Sequence, residues 1–173
     1  QTTYGGGSTD ATITKLSADQ QLLWSTWLGG SGTDEGLKVA VDDTGNVFVT
    51  GLTNSSDFPI TSGAFQSNFA GGSDDAFVAK FRDDGTIVWN TYFGGSSNDI
   101  STGLKVDRNN DIVLGGYTRS SDFPISVGAY QSSFAGAQDV FISKFSSGGA
   151  IKWSTFIGGT SFDQANDLAV DTN

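Results

Sequence analysis

The chain contains no cysteine, no histidine and no methionine among its 173 residues. Without cysteine it has neither a disulfide framework nor a thiolate nucleophile. Without histidine it lacks the commonest general base and the commonest transition-metal ligand of proteins. The missing initiator methionine predicts a chain that begins after processing or inside a longer polypeptide. Thiolate and imidazole chemistry are therefore excluded from any function of these residues.

Long apolar runs and positive charge are also scarce. No apolar run approaches the length of a transmembrane helix, and no signal peptide is visible. Nine basic residues stand against nineteen acidic ones, which gives a formal net charge of -10. Such a field repels phosphate backbones and anionic membrane surfaces. We therefore predict no nucleic-acid partner and no membrane insertion.

Glycine and aromatic residues are abundant by contrast. The chain has 24 glycines, and 12% of its residues are aromatic, which argues against disorder. Its apolar residues come in short runs separated by clusters of glycine, asparagine, aspartate and serine. This pattern of short apolar runs between turn-forming residues is typical of an all-β protein.

An internal repeat organises the whole sequence. Trp24, Trp89 and Trp153 lie 65 and 64 residues apart, and each begins a similar stretch: WSTWLGG, WNTYFGG and WSTFIGG. The only two prolines lie in a second repeated segment, NSSDFPITSGAFQ at 54–66 and RSSDFPISVGAYQ at 119–131. A fixed period of this length predicts a repeat architecture with one supersecondary unit per repeat.

Each repeat reads as four antiparallel strands. Val47, Phe48 and Val49 are consecutive apolar residues in the second strand, so this strand is expected to be buried on both faces. Face-to-face stacking of four-stranded sheets provides such burial and predicts β-propeller blades; a β-solenoid is the alternative. The predicted units are a partial blade with strands three and four (1–33), two blades (34–98 and 99–162), and the first strand of a further blade (163–173).

The chain begins and ends within a repeat, since residues 1–10 align with 66–75 and the last residue aligns with Thr44. We expect a longer polypeptide or several chains that complete one another, because incomplete propellers leave sheet edges open to pairing. Protein partners, or self-assembly through unpaired blade edges, are predicted on this basis.

The stretch AFVAKFRDDGTIVWNTYFGGSSND at 76–99, with the VD turns and SSDFP segments around it, resembles the SBBP family of bacterial and archaeal β-propeller repeats. The resemblance covers essentially the whole chain in two full and two partial copies. The resemblance implies a β-propeller fold, and the family is named for a seven-bladed form of it. It also implies a secreted or cell-surface location and no general catalytic activity.

Propeller connectivity places the SSDFP inserts and the glycine-rich links between blades on one face, where binding loops are common. Recurring acids there raise the hypothesis of Ca²⁺ ligation. The alternative is that each aspartate caps a turn by accepting bonds from backbone N–H groups, and we favour it because no dense ligand loop is present. The recurring acids are Asp10, Asp34, Asp57, Asp75, Asp99, Asp122, Asp139 and Asp163.

The other recurring side chains have structural interpretations as well. The repeated tryptophans are expected to pack between neighbouring blades. Phe58 and Phe65 are also expected to pack between blades. The lysines of the third strands are expected to pair with nearby aspartates. The sequence does not point to a pair of carboxylates that could act as general acid and general base. We therefore designate no catalytic, cofactor-binding or metal-binding residue. No cofactor is expected. The lysines are Lys15, Lys80 and Lys144.

These observations predict a non-enzymatic extracellular or cell-surface repeat module that serves structure, adhesion or assembly. One alternative is a glycan-binding module with aromatics exposed on the loop face. Another is part of a propeller enzyme that acts on polysaccharide, which predicts one blade with residues unlike the others. The candidate glycan-binding aromatics are Phe58, Phe65, Phe123 and Tyr130.

Overall fold

The fold consists of antiparallel strands joined by turns and loops. The computed structural model describes residues 1–171, and residues 172 and 173 lie outside the described part. No helix interrupts the strands in that range. The strands are β1 (Ala11–Leu16), β2 (Leu22–Leu28), β3 (Asp34–Val41), β4 (Val47–Thr53), β5 (Asp75–Phe81), β6 (Ile87–Phe93), β7 (Asp99–Val106), β8 (Ile112–Thr118), β9 (Asp139–Phe145) and β10 (Ile151–Ile157).

The strands of residues 1–171 form three sheets in the order of the chain. β1 and β2 pair as a hairpin, the N-terminal hairpin; β3 to β6 form the first blade, and β7 to β10 form the second blade. In each blade every strand pairs with its neighbours in sequence. This is the meander of a propeller blade, so the predicted all-β, propeller-type fold is confirmed.

The two blades share their irregularities as well as their strands. The β3–β4 register shifts between Gly36 and Lys38, and the β7–β8 register shifts between Ser101 and Gly103. These positions correspond in the repeat. A bulge bends and twists a strand, so the two blades have the same local distortion in the same place.

The core lies between the sheets, on both faces of the second strand. Val47 and Val49 pack with Ala11 and Ile13 of the N-terminal hairpin. Phe48, which points the other way, packs with the second blade. Alternation along a strand sends successive side chains to opposite faces, so a fully apolar strand needs a neighbour on each side. The predicted two-sided burial of this strand is confirmed.

Trp24 and Trp89 join neighbouring sheets, as predicted, whereas Trp153 is 40% exposed. Trp24 of the hairpin donates its Nε1–H to the Asp83 carbonyl in the β5–β6 turn, at 2.8 Å. Trp89 donates in the same way to the Ser147 carbonyl in the β9–β10 turn, at 3.0 Å. Each indole thus packs on the turn of the next blade and fixes the stagger between two sheets.

The predicted first strand of a further blade, 163–173, is not formed within the described residues. Residues 164–171 form no strand, and the last two lie outside the described part. A strand requires a partner for its backbone groups, and the second strand of that blade is not in the sequence. The segment still packs on the second blade: Leu168 lies over Gly103, and Thr102 Oγ1 donates to the Ala165 carbonyl at 2.5 Å.

Candidate functional face

The inserts between second and third strands lie beside the links between sheets, and together they form one face of the molecule. We call it the loop face. The inserts are 54–74 and 119–138, and the links are 29–33, 94–98 and 158–162. The backbone N–H groups of the links bond to side chains of the inserts, as the next paragraphs describe. The face is therefore continuous from sheet to sheet.

The phenylalanine of each DFP segment is a core residue. Phe58 is 3% exposed, with ring centroids 4.8 Å from Phe77 and 5.8 Å from Tyr92. Phe123 is equally buried and stacks on Phe141 at 4.6 Å. Since neither ring has free surface for a ligand, the structure supports the expected scaffold role of Phe58. It also removes both residues from the glycan-binding candidates.

The aspartate of each DFP segment caps the link beside it. Asp57 Oδ1 accepts bonds from the Ser31 N–H at 2.8 Å and from the Ser31 hydroxyl at 2.9 Å. Asp122 accepts the same two bonds from Ser96, at 2.9 and 3.0 Å. The backbone N–H of the serine holds the pKa of each carboxyl below its ordinary value, because it favours the charged form. These are structural caps, although they act on a neighbouring loop rather than on their own turn.

A second set of aspartates is buried beneath the loop face. Asp75 Oδ2 accepts bonds from the Ala70 N–H at 2.8 Å and from Gln66 Nε2 at 3.2 Å. Asp99 Oδ2 accepts from the Gly95 N–H at 2.7 Å and from the Ser120 hydroxyl at 2.8 Å. Both residues are fully buried. In this structure, Oδ1 of each has no hydrogen-bond partner.

Asp75 and Asp99 approach each other across Gly94. A Cβ built on Gly94 would lie 2.7 Å from Asp75 Oδ1 and 2.8 Å from Asp99 Oδ2, so only glycine fits between them. Burial raises the pKa of Asp75 to about 7, and the charge of Asp99 adds to that rise. Burial likewise raises the pKa of Asp99 to about 6. The pair can hold a proton near neutral pH, which is the chemistry that two desolvated carboxylates provide.

The same arrangement recurs at the other junctions. Gly29 lies against both Asp10 and Asp34, and Gly158 lies against Asp139. Asp10 Oδ1 and Asp139 Oδ1 are also buried without a partner. A carboxylate thus lies against the first glycine of each of the three links, and a pair of carboxylates does so at Gly29 and Gly94, so the arrangement belongs to the junction between sheets.

The recurring glutamines are functional parts of the junction that the sequence analysis did not single out. Gln66 donates to Asp75 through Nε2 and accepts the Gly94 N–H through Oε1, at 3.0 Å. Gln131 accepts the Gly158 N–H in the same way, also at 3.0 Å. Both glutamines begin a repeated segment, QSNFAGG and QSSFAGA, and this recurrence could have identified them from the sequence.

The recurring lysines are engaged by neighbouring groups. Lys15 pairs with Asp83, and Lys144 pairs with Asp107 at 2.5 Å. Lys80 donates to the Ser147 carbonyl at 3.1 Å. The expected pairing with aspartate is therefore confirmed for Lys15 and Lys144, whereas Lys80 bonds a carbonyl and lies over the Phe48 ring.

The remaining aromatic candidates differ in exposure. Phe65 packs edge-on against Phe93 and against Phe145 of the next blade, at 5.9 and 5.8 Å. Tyr130, which occupies the same place in the second blade, is 88% exposed. The predicted packing of Phe65 between blades is confirmed, and Tyr130 is the candidate aromatic with a free ring.

Two further properties concern ligands and membranes. Within residues 1–171, no three His, Cys, Asp or Glu side chains are grouped so that they could hold a metal ion. Over the same residues, no helix has the length and apolar character to cross a membrane. The Ca²⁺ hypothesis stays a prediction.

Comparison with known proteins agrees with the repeat geometry. Over 143 residues, 83% of this chain, the sequence is 29% identical to the regulatory protein FlaEY of Caulobacter vibrioides. Over 121 residues it is 26% identical to an uncharacterized WD repeat-containing protein of Acanthamoeba polyphaga mimivirus. The matches span 15% and 9% of those proteins. Residues 23–59 match the β-propeller repeat model of the SBBP family, so the resemblance is confirmed for that part of the chain, which carries this repeat.

Proposed function

We propose that the chain is a non-enzymatic repeat module that serves structure, adhesion or assembly outside the cell or at its surface. One observation carries the proposal: the polar residues of the loop face bond to one another in the same pattern at successive junctions. Asp57 caps Ser31 as Asp122 caps Ser96, with closely similar distances. Groups that are used to hold loops in place are not free to bind or activate a substrate.

Repetition supports the same conclusion. Enzymes on symmetric scaffolds place their chemistry on residues that distinguish one repeat, because catalysis needs groups in different roles. Here each junction has at least one fully covered carboxylate, and the residues are Asp34, Asp75, Asp99 and Asp139. The relative from Caulobacter is named a regulatory protein, which is compatible with a role in binding other proteins.

Two measurements test the proposal. Antibodies against the chain should label the cell surface or culture medium of the source organism rather than its cytosol. The full chain, incubated with a panel of polysaccharides, should release no new reducing ends. Catalytic turnover of any of these substrates would contradict the non-enzymatic role, and cytosolic labelling alone would contradict the location.

Glycan binding is the second candidate function, and the exposed ring of Tyr130 favours it. An exposed aromatic face offers the kind of surface on which an apolar sugar face can pack. A glycan array probed with the parent chain and with Tyr130→Ala tests this directly. Tyr4→Ala is a matched control, because Tyr4 is also exposed but precedes β1, with its ring against Trp27 of the N-terminal hairpin. Binding that is lost only in Tyr130→Ala would establish this role; an array without any signal would remove it.

A further inference from the structure

Asn54 is an exposed residue at the start of the insert in the first blade. It follows Thr53, the last residue of β4, and is itself followed by Ser55 and Ser56. An asparagine, then any residue except proline, then a serine or threonine is the acceptor motif for N-linked oligosaccharides. The sequence of 173 residues contains this motif once.

The first and third residues of the motif are open to solvent, whereas the middle one is anchored. Asn54 and Ser56 are exposed, but Ser55 is only 1% exposed. The Ser55 hydroxyl accepts the Gly32 N–H at 2.8 Å and donates to Asp34 Oδ2 at 2.7 Å. The buried serine thus fixes the segment to the neighbouring link. The amide and the hydroxyl that define the acceptor motif both stay accessible.

The side-chain amide of Asn54 uses its oxygen in the fold but not its nitrogen. Oδ1 accepts the Thr33 N–H at 2.6 Å, and the Asn54 backbone N–H donates to the Thr33 carbonyl at 3.0 Å. Within residues 1–171, Asn54 Nδ2 forms no hydrogen bond. The nitrogen, which is the atom that carries an N-linked sugar, is therefore the end of the amide that folding leaves unused.

We infer that Asn54 carries an N-linked oligosaccharide. In the transfer reaction, Asn54 Nδ2 forms a bond to the anomeric carbon of an oligosaccharide that is held on a lipid diphosphate. The bond between that carbon and the diphosphate oxygen breaks, its electron pair leaves with the lipid diphosphate, and Nδ2 loses one proton. The product is still an amide, so Oδ1 keeps its ability to accept the Thr33 N–H.

The second blade has the same local structure without the acceptor. Arg119 occupies the place of Asn54, and its backbone N–H donates to the Asn98 carbonyl at 2.9 Å. Ser120 is fully buried and bonds as Ser55 does, accepting a link N–H at 2.8 Å and donating to a buried carboxylate at 2.8 Å. Since an arginine fits this backbone setting, the insert does not need asparagine to fold. The modification would distinguish the first blade from the second.

The inference rests on the proposed location outside the cell or at its surface, because this modification belongs to the surface loops of exported proteins. It adds the chemistry of one position on the loop face. An oligosaccharide is bulky and hydrophilic, so its attachment point has to be exposed, as Asn54 is. The sugar would cover the link at 29–33, to which Asn54 is bonded through Thr33.

Mass spectrometry of the native protein, isolated from its source organism, tests the inference. Trypsin, which cleaves after lysine and arginine, releases residues 39–80 as one peptide that contains Asn54. This peptide should be heavier than its sequence by the mass of an oligosaccharide, and fragmentation should place the added mass on Asn54. The peptide 120–144 is the matched internal control, because it contains the other SSDFP segment but no asparagine. It should carry no N-linked oligosaccharide.

Variants produced in the same organism show whether the motif is responsible. Asn54→Gln should abolish the added mass. Ser56→Ala should abolish it as well, although Asn54 and its contact with Thr33 remain, and Ser56→Thr should retain it.

The possible results separate this inference from the proposed function. A native chain with unmodified Asn54 overturns the inference. Added mass that persists in Asn54→Gln or in Ser56→Ala also overturns it, because the sugar is then not attached through this motif. If antibodies label the cell surface while Asn54 is unmodified, only the inference fails and the proposed location stands. Cytosolic labelling together with unmodified Asn54 contradicts both.

Discussion

Replacement of Asp75 by asparagine should remove a pH-dependent loss of stability. Asp75 is fully buried, and burial raises its pKa from 3.8 to about 7. The folded chain therefore binds this proton more tightly than the unfolded chain does. A raised carboxyl pKa means that the stability contribution is present below the unfolded value and is lost as pH rises towards the folded value. The window for Asp75 is thus about pH 4 to 7.

The magnitude follows from the shift. A rise of about 3 in the pKa of Asp75 corresponds to about 4 kcal/mol of unfolding free energy, at about 1.4 kcal/mol per pKa unit. Between about pH 5 and about pH 8 the parent should lose about 3 kcal/mol through Asp75 alone. That is a large share of the 5–15 kcal/mol, roughly, by which domains are stable.

The substitution fits the site. The asparagine Oδ1 can accept the bonds that Asp75 accepts from the Ala70 N–H and from Gln66 Nε2. Its amide group then points towards Asp99 Oδ2, across the space beside Gly94. A donor facing a carboxylate replaces the repulsion between two carboxylates, which should also ease the ionisation of Asp99.

Urea denaturation followed by tryptophan fluorescence, in buffers from about pH 5 to about pH 8, measures the effect. The parent should lose stability across this range, and Asp75→Asn should lose much less. Asp43→Asn is the matched control, because it makes the same change of charge at an exposed turn position. Equal slopes for the parent and Asp75→Asn would refute the reasoning, as would a parent whose stability is flat over the range.

Two further substitutions test the packing between blades. Gly149→Ala should cost about 1–2 kcal/mol more than Gly63→Ala, because both positions are left-handed but only Gly149 lies against the Trp89 ring. Equal costs in urea denaturation would show that the indole contact does not matter. Phe58→Ala should cost about 3–5 kcal/mol and lower the melting temperature far more than Phe65→Ala does, since Phe65 is partly exposed. A Phe58→Ala chain that melts like the parent but loses a ligand would instead show a binding role.

The sequence predicts the blades well because their signals are local. Three consecutive apolar residues from Val47 to Val49 indicate a strand covered on both faces. All three residues are buried in the structure. The repeat also identifies the aspartates of the loop face. Their roles as caps follow from the hydrogen-bonding habits of aspartate near turns, although the loop that Asp57 caps is the neighbouring link.

The sequence does not reveal which groups meet between blades. Asp75 and Asp99 begin strands of two different sheets, and their approach depends on how one sheet is staggered against the next. The carbonyl that accepts the Trp24 indole belongs to Asp83, far along the chain, for the same reason. The periodicity of a strand specifies which face a side chain occupies, but contacts between repeats require the angle and offset of the blades.

The burial of a repeat position is decided by the neighbouring blade rather than by its own. Leu104 of β7 is 2% exposed beneath the first blade, whereas its counterpart Val39 of β3 is 63% exposed. The two strands have the same pairing and the same bulge, so intrinsic strand preference cannot account for the difference. The hairpin has only two strands and leaves Val39 uncovered. Stability in such a chain is a sum of blade and interface contributions, and each further interface adds apolar burial at positions that the repeat already supplies.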